Sequence, residues 1–405
     1  MLRAGVLSIL AISMLGCVVE ADDFYYYHGG GGITLINYNF DVVDHADTQS
    51  YSSAAYCPQH DEYLVVWQDD RNGDFDVYGV FLESYRGEAV SSVFQICGAS
   101  GDQTKPYVVY NYYTDRYLVV WEDYRNGDRD VYGAVLESDG TLVTEVAVSA
   151  LAGYDEHEPK AAADTGDGGF LVAWDEENAS GDTDIAAQLL DSDGVPSGGV
   201  IQVCVDPADQ QSVSLAFNAD RDEYLLVWMD FRGYAYESDV YGQFVSASGA
   251  LIDYNFPLCD DAYDQDFPVV AYNDRTGEYL VVWQDDRNGD TGVWARIVDD
   301  LGHLVGVSYT IFDDAAEQRN PHMTYNAASG EYMVVWEDDY PGYWAIYARV
   351  LDSLGEPASD AVEVSDYSTS NLRPQVAAND DDGEYMTVWH GRPGGDYDVF
   401  GQLLR

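Results

Sequence analysis

The sequence predicts an all-β fold: a seven-bladed β-propeller with four antiparallel strands in each blade. Seven tryptophans recur at intervals of 53 to 55 residues, a fixed period that indicates one repeated structural unit. They are Trp67, Trp121, Trp174, Trp228, Trp283, Trp336 and Trp389. An aromatic residue stands four positions before each tryptophan, so the two share one face of a strand with alternating side chains.

Each repeat has room for four short strands. In six repeats Asn or Asp stands ten positions before the tryptophan, where it starts a hairpin between the first and second strands. We expect inner strands such as 269–272, second strands such as 279–283, third strands such as 131–136 and outer strands such as 256–258. One such sheet alone would leave both faces in water, so the blades are expected to close into a ring.

The two ends of the sequence predict how the ring closes. The chain ends at Arg405, just after the third strand of the last repeat, while residues 35–40 match the outer strand at 251–256. The N-terminal strand is therefore expected to complete the last blade. Residues 33–405 are predicted to form this single domain.

The first residues are typical of an export signal. One Arg precedes an apolar run, so residues 1–16 are interpreted as a signal peptide. The stretch from Met14 to Cys17 resembles a bacterial lipobox, which implies cleavage before Cys17 and lipidation of that residue. Residues 17–32 are then a flexible tether. The resemblance implies a protein anchored in the bacterial cell envelope, at the outer membrane or cell surface. The alternative is a secreted protein in which Cys17 is incidental.

The charge of the chain excludes several partners. The sequence has 73 acidic and 18 basic residues, a formal net charge of -55. Nucleic acid and anionic lipid would be repelled, so contact with a membrane is expected only through the lipid anchor. The same repulsion acts between copies, and the protein is expected to be a monomer. Adaptation to a saline habitat and binding of cations would each explain the acidity.

The four remaining cysteines are not expected to form disulfides. Cys97, Cys204 and Cys259 each stand 24 residues before a repeat tryptophan, so they occupy equivalent places on different blades. Outer strands of separate blades diverge beyond disulfide reach. We interpret these cysteines as small buried residues.

The loop after the second strand contains a recurrent Asp-x-Arg element. It begins at Trp67 with Asp69 and Arg71, and its D-x-R-x-G-x-x-D-[IV]-Y pattern resembles the repeat of TolB-type and related WD-like bacterial propellers. The Ser-Pro-Asp-Gly turn usual in that family is absent here. The resemblance implies the fold over residues 33–405 but no particular function, because one fold hosts many functions.

The arginine of this loop predicts a salt bridge. Its guanidinium can hold Asp69 or Asp76 by two hydrogen bonds and so replace a cation. The predicted structural rim comprises Asp69, Arg71, Asp76, Asp123, Arg125, Asp130, Asp230, Arg232, Asp285 and Arg287. Calcium is the alternative for Asp-rich loops, and the loops around Asn178 and Tyr340, which lack the arginine, are its most plausible places.

A second set of polar residues precedes the inner strands. Asp or Glu stands nineteen positions before the tryptophan in five repeats, as at Asp102, and Gln49 and Asn371 align with this connection in the other two. Strand parity puts this connection on the same rim as the Asp-x-Arg loop. We expect a latch in which these acids pair with nearby arginines; a binding site is the alternative.

Three rim loops, in the fourth, sixth and seventh repeats, depart from the repeated pattern. Such a departure gives a symmetric ring a distinctive patch, and exposed aromatic and basic side chains suit sugar rings or a protein surface. The candidate ligand-binding residues are Tyr234, Tyr236, Tyr340, Tyr343, Trp344, His390 and Arg392. Packing between blades is the alternative role of these side chains.

The sequence favours a non-enzymatic binding or scaffold propeller for a protein or carbohydrate of the cell envelope. Its acids recur in register, as parts of a fold do, and its seven histidines show no metal-ligand spacing. It has no Ser-His-Asp elbow and no phosphate-cradling glycine loop, so no catalytic residue and no cofactor is assigned. A purely structural envelope component and a glycan-active hydrolase or lyase are the alternatives.

Overall fold

A computed structural model describes residues 26–28, 32–233, 237–340, 342–365 and 370–405 of the chain. These residues form 29 β-strands in seven sheets, and neighbouring strands are antiparallel throughout. The predicted all-β, seven-bladed architecture is confirmed. Within this part of the chain there is no helix with the length and hydropathy needed to cross a membrane.

The strands are numbered along the chain, and each blade runs from an inner strand at the axis to an outer strand. The inner strands are β3 (Gln49–Cys57), β7 (Gln103–Asn111), β11 (Asp155–Ala163), β15 (Gln210–Asn218), β19 (Gln265–Asn273), β23 (Gln318–Asn326) and β27 (Asn371–Asn379). The second strands are β4 (Glu62–Asp69), β8 (Arg116–Asp123), β12 (Phe170–Glu177), β16 (Glu223–Asp230), β20 (Glu278–Asp285), β24 (Glu331–Asp338) and β28 (Glu384–Gly391).

The other two strands of each blade continue the sheet outwards. The third strands are β5 (Asp76–Glu83), β9 (Asp130–Glu137), β13 (Thr183–Leu190), β17 (Asp239–Ser246), β21 (Gly292–Asp299), β25 (Ala345–Leu351) and β29 (Asp398–Leu404). The outer strands are β2 (Thr34–Val43), β6 (Phe94–Cys97), β10 (Leu142–Ser149), β14 (Pro196–Cys204), β18 (Leu251–Cys259), β22 (Leu304–Phe312) and β26 (Val362–Glu363). Most strands are longer than the apolar runs that predicted them, because pairing continues into the polar ends.

The N-terminal strand closes the ring, as predicted. Strand β2 pairs with β29, with Leu35 opposite Leu404 and Val43 opposite Val399. Strand β1 (Tyr26–His28) pairs in turn with the start of β2, so the last blade has five strands. The predicted tether at 17–32 therefore contains one short paired strand, while the predicted signal peptide and Cys17 lie outside the described residues.

The hydrophobic core lies between the blades. All seven repeat tryptophans are fully buried. Trp121 and Tyr117 of the second blade pack with Leu64 and Val66 of the first, and similar clusters fill the other gaps between blades. Each blade therefore depends on both neighbours for its core, and an open ring would expose two apolar faces.

Candidate ligand site on the propeller axis

Four Asp-x-Arg loops are each organised around one buried carboxylate. Asp123 accepts hydrogen bonds from the Trp121 indole N–H at 2.8 Å and from the Arg125 Nε–H at 2.8 Å. The carboxylate is fully buried, and the Arg125 guanidinium lies 4.0 Å from the centroid of the Tyr132 ring. The same arrangement holds Asp69–Arg71, Asp230–Arg232 and Asp285–Arg287. In these loops the arginine supplies the positive charge that the carboxylate needs.

Three of these arginines also join adjacent blades. Arg125 Nη2 lies 3.3 Å from the Sγ of Cys97, which belongs to the outer strand of the preceding blade. Equivalent contacts join Arg232 to Cys204 and Arg287 to Cys259. The described cysteines are free and buried, which confirms that they form no disulfides. The constant offset of 28 residues from Cys to Arg was the sequence signal for this contact.

The second aspartate of the loop has other partners. Asp76 accepts hydrogen bonds from Asn72 and Gln95, both at 2.9 Å, and Asp130 accepts one from Asn126 at 2.6 Å. The possibility that the arginine fork holds Asp76 is therefore wrong, because the aspartate beside the tryptophan already occupies the fork. Within the described part of the chain, no three side chains of metal-binding type lie together as an ion would require.

Four of the five acids before the inner strands form a latch with backbone donors instead of arginine, whereas the fifth, Glu317, pairs with Arg319 as expected. Asp102 Oδ1 accepts the N–H of Phe75, in the preceding blade, at 2.9 Å. The same bond joins Asp155 to the N–H of Arg129, Asp209 to that of Thr183 and Asp264 to that of Ser238. The expected arginine partner is wrong at these four positions, since each carboxylate satisfies a backbone donor next to a strand end.

Two of the irregular rim residues are held by their own surroundings. Tyr343 donates its hydroxyl to Glu363 at 3.3 Å. Trp344 lies under the Arg319 guanidinium, whose carbon is 4.7 Å from the ring centroid. Both side chains are half-buried. These contacts are of the kind expected if the two side chains serve in packing, which was the alternative to ligand binding.

The other rim candidates are scattered. Tyr340 is 72 % exposed, and Arg392 is exposed with its guanidinium 5.4 Å from the Tyr397 ring. Tyr234 and Tyr236 lie outside the described residues. The rim thus shows separate exposed side chains, and its part in ligand binding stays a prediction.

His390 is not a surface residue. It is 5 % exposed, and its Nδ1 accepts the backbone N–H of Tyr51, in the first blade, at 3.3 Å. Burial, assisted by the positive charge of Arg373, lowers the pKa of His390 to about 3, so the ring is neutral and can accept this bond. Its assignment as a ligand-binding residue is corrected, because its side chain joins the last blade to the first.

His390 belongs to a set of side chains that join every blade but one to the next. The residue after a repeat tryptophan accepts the backbone N–H that lies sixteen positions before the next tryptophan, at 2.7 to 3.3 Å. The acceptor and donor pairs are Gln68–Lys105, Glu122–Glu158, Asp175–Ser212, Gln284–Asn320, Glu337–Arg373 and His390–Tyr51. Met229 holds the place in the fourth blade. A polar acceptor after six of seven tryptophans was the sequence signal for this latch.

The six donor residues of this latch and Phe267, which holds the same place in the fifth blade, have a left-handed backbone. Their φ angles lie between 47° and 58° in all seven blades, and a β-bulge interrupts each inner strand there. Such a φ costs a non-glycine residue about 1–3 kcal/mol, which the hydrogen bond from the preceding blade helps to offset. Bulges redirect side chains. Here the residues sixteen and fourteen positions before each tryptophan both line the axis of the ring.

These residues form two rings around one open space. The first axial ring consists of Tyr51, Lys105, Glu158, Ser212, Phe267, Asn320 and Arg373. The second axial ring consists of Ser53, Tyr107, Lys160, Ser214, Val269, His322 and Gln375. They border two adjoining cavities, which share several ring residues and are open to solvent. Concave sites lined by aromatic side chains and a few polar groups are common places for small ligands.

The first axial ring has a different residue in every blade. The repeat is otherwise regular, with a tryptophan, an aromatic residue before it and a polar latch after it. The backbone of the ring is also the same in all seven blades, so the fold does not require different side chains. Seven different side chains make the cavity asymmetric, which a selective site for a small molecule needs.

The axial rings collect positive charge in a strongly acidic chain. Lys105 and Lys160, the only lysines of the sequence, are both ring residues, and Arg373 lies beside them. Lys105 Nζ is paired with Glu158 at 2.9 Å and with the buried Glu122 at 3.1 Å. Among the residues that the structure describes, neither Lys160 nor Arg373 has a carboxylate at ion-pair distance.

The two unpaired cations lie against aromatic rings. Lys160 Nζ is 4.8 Å from the centroid of Tyr107, and Arg373 Cζ is 5.8 Å from that of Tyr51 and 6.0 Å from that of Phe267. These rings come from the second, first and fifth blades. The arginine, from the seventh blade, therefore reaches over the cavity between side chains of distant blades.

Electrostatics in the cavity favour a negative group. Burial opposes ionisation of Glu158, but Lys105, Lys160 and Arg373 lower its pKa to about 2. Burial lowers the pKa of Lys160; Glu158 opposes this shift, and the neighbouring Lys105 and Arg373 add to it. His322, lowered to a pKa of about 3 by burial and by Lys160, adds no charge at neutral pH. A carboxylate in this cavity is therefore stabilised in spite of its burial.

Comparison with known proteins places the fold. No protein-family model and no curated protein matches the chain. The WD40 domain of coronin from Toxoplasma gondii aligns with a TM-score of 0.56 and 10 % identity, over 92 % of this chain and 86 % of that one. The Dos1 propeller aligns with a TM-score of 0.50 and 10 % identity, over 91 % and 94 %. The chain has a WD40-like β-propeller fold.

Enzymes share this general architecture. The endosialidase of phage phi92 aligns with a TM-score of 0.52 and 9 % identity, over 93 % of this chain and 69 % of that one. At such identities a likeness shows the WD40-like fold alone. Function has to be argued from the residues that this particular WD40-like propeller places at its axis.

The stability of the protein is expected to fall as the pH rises from 6.5 to 8. Burial, with Glu158 nearby, raises the pKa of Asp175 to about 8, and burial raises that of Glu156 to about 7. Both groups ionise near pH 4 in the unfolded chain, so the folded state binds more protons in this window and loses stability as they leave. We expect the melting temperature to fall by about 2 °C per pH unit.

Asp175→Asn tests this effect, since it keeps an acceptor for the Ser212 N–H but cannot ionise. The variant is expected to flatten the decline, whereas Asp74→Asn, at an exposed loop position, should leave it unchanged. Thermal melts at several pH values measure both. A wild-type melting temperature that rises over this window contradicts the assignment.

Proposed function

We propose that this protein is a non-enzymatic binding propeller that holds a small polar ligand, such as the end of a carbohydrate chain, in its axial cavity. The supporting observation is the contrast within the repeat: one backbone geometry in seven blades, but seven different side chains in the first axial ring. A purely structural ring has no need of that variety, because the latch to the preceding blade uses the backbone N–H groups of these residues and not their side chains.

The composition of the rings suits a sugar. Tyr107 and Phe267 offer ring faces for the apolar side of a pyranose, and Ser212 and Asn320 offer hydrogen-bonding groups for hydroxyls. Gln375 Oε1 is a buried acceptor with no hydrogen-bond partner among the described residues. Such an acceptor is costly unless a ligand or water donates to it.

The rings lack a pair of catalytic carboxyl groups. Glu158 is the only acid among the fourteen ring residues, and its lowered pKa makes it a poor proton donor. Asp175 keeps a proton at neutral pH, but its carboxylate is buried and accepts the N–H groups of Ser212 and Val213. The two carboxyls therefore do not form the acid and base that glycoside hydrolysis requires.

We also propose that the propeller acts outside the cell membrane, held at the cell envelope by a lipid on Cys17. The proposal rests on the signal-like first residues and lies outside the described part of the chain. A glycan or glycosylated protein of the envelope would then be the source of the ligand. Metabolic labelling with a fatty-acid analogue, lost in Cys17→Ser, would support this placement.

A glycan array tests the proposed site. The mature chain is expected to bind one group of glycans, and a variant with Tyr107→Ala and Phe267→Ala should lose at least about tenfold in affinity. A variant with Tyr343→Ala and Trp344→Ala is the matched control, because it removes two aromatics from the rim. Loss of binding in the rim variant alone, or no binding to any glycan, contradicts the proposal.

A further inference from the structure

We infer that the ligand is an acidic sugar whose carboxylate binds between Lys160 and Arg373. This inference deepens the proposed function and rests on it. The two side chains come from the third and seventh blades and face the same cavity. Unlike Lys105, neither has a carboxylate of the described residues at ion-pair distance, although Glu158 interacts with both at longer range.

The surroundings of the two cations differ from those of Lys105. With 73 acidic residues and 18 basic ones, a cation has many carboxylates within reach, and Lys105 has two of them. Lys160 and Arg373 instead lie against aromatic rings, at 4.8 and 5.8 Å. A cation held on a ring face keeps its N–H groups free for an anion, and a guanidinium matches a carboxylate with two hydrogen bonds.

Glu158 shows that the cavity stabilises a carboxylate. It is a carboxylate in the same ring, and the three cations hold it ionised in spite of its burial. Glu158 has Lys105 as its ion-pair partner. The carboxylate of a ligand would have Lys160 and Arg373 as its partners instead.

The charge behind the ring argues for a single negative charge on the ligand. Buried Glu122 and Glu337 each accept a backbone N–H of the first ring, from Glu158 and Arg373. Their nearby carboxyl groups limit the positive potential of the cavity. A doubly charged phosphate would meet these groups and Glu158, whereas a carboxylate adds one charge only. The hydrogen-bonding and aromatic ring residues then accommodate the rest of a sugar.

Calorimetric titration with matched sugars tests the inference. The probes are D-glucuronic acid, D-galacturonic acid and N-acetylneuraminic acid, each beside its methyl ester or neutral parent sugar. At low salt the acids are expected to bind at least about tenfold more tightly than the neutral probes, and added salt should weaken them. Lys160→Met and Arg373→Gln should each remove most of that difference, so that an acid and its neutral partner bind with similar affinity.

Controls separate failure of this inference from failure of the proposed function. Arg392→Gln removes an exposed rim cation and should change nothing, and circular dichroism checks that each variant is folded. One outcome is that neutral sugars bind as tightly as the acids while the Tyr107→Ala and Phe267→Ala variant still abolishes binding. In that case the proposed carboxylate site between Lys160 and Arg373 is wrong, but the axial sugar site is supported. If no sugar binds to the wild type, both proposals are overturned.

Discussion

A chain that lacks residues 33–44 is expected to lose its closed ring. Ile33, Ile36, Val42 and Val43 of this segment are each at most 8 % exposed, and they belong to the apolar clusters between the last blade and its two neighbours. Burial of four aliphatic side chains contributes at least about 6 kcal/mol, which is comparable with the whole stability of many proteins. Deletion also leaves the edge of β29 unpaired, so aggregation is expected as well.

Thermal melting and light scattering measure the effect of this deletion. We expect the melting temperature to fall by more than about 10 °C, or no cooperative transition at all. Deletion of residues 1–31 is the control, because it keeps β2 and should leave the transition within a few degrees of the full chain. An unchanged melt of the chain without residues 33–44 would show that the ring does not depend on this strand.

Asp285→Ala is expected to destabilise the protein by about 3–5 kcal/mol. The carboxylate accepts the Trp283 indole N–H at 2.8 Å and the Arg287 Nε–H at 2.8 Å, and it is fully buried. Its loss leaves a buried indole N–H and a largely buried guanidinium without their partner. The contact from Arg287 to Cys259 of the preceding blade is weakened at the same time.

Denaturant unfolding of three variants checks this account. Asp290→Ala, at an exposed position of the same loop, is expected to change stability by less than about 0.5 kcal/mol. Asp285→Ala combined with Arg287→Leu should recover part of the loss, because it removes the uncompensated charge. Equal stabilities of Asp285→Ala and Asp290→Ala would contradict a structural role for the ion pair.

The fold was predictable because its strongest signals are local and repeated. Each tryptophan and the aromatic four positions before it identify the buried second strand, and residues 35–40 match an outer strand. These signals are the same in every blade, so they do not show which groups of a neighbouring strand or blade a side chain contacts. The hydrogen-bond partners of Asp76 and Asp102 were therefore not predictable. Those depend on which blade's backbone or side chain is nearest, a property of the assembled ring.

The axial site was not predictable in the same way. Alternation along an inner strand does not show which residues face the axis, because a bulge at residues such as Lys105 shifts the alternation. The sequence did mark the place, since Pro follows this residue in five repeats while the residue itself never recurs. His390 was misassigned for a related reason: it stands in an irregular loop sequence but occupies a regular latch position.

The most direct test of the axial site is a crystal structure of the protein grown with its best-bound glycan. We expect electron density for a sugar in the axial cavity, in contact with Tyr107, Phe267 and Arg373. Density at the rim beside Tyr343 and Trp344, with none in the axial cavity, would contradict the account.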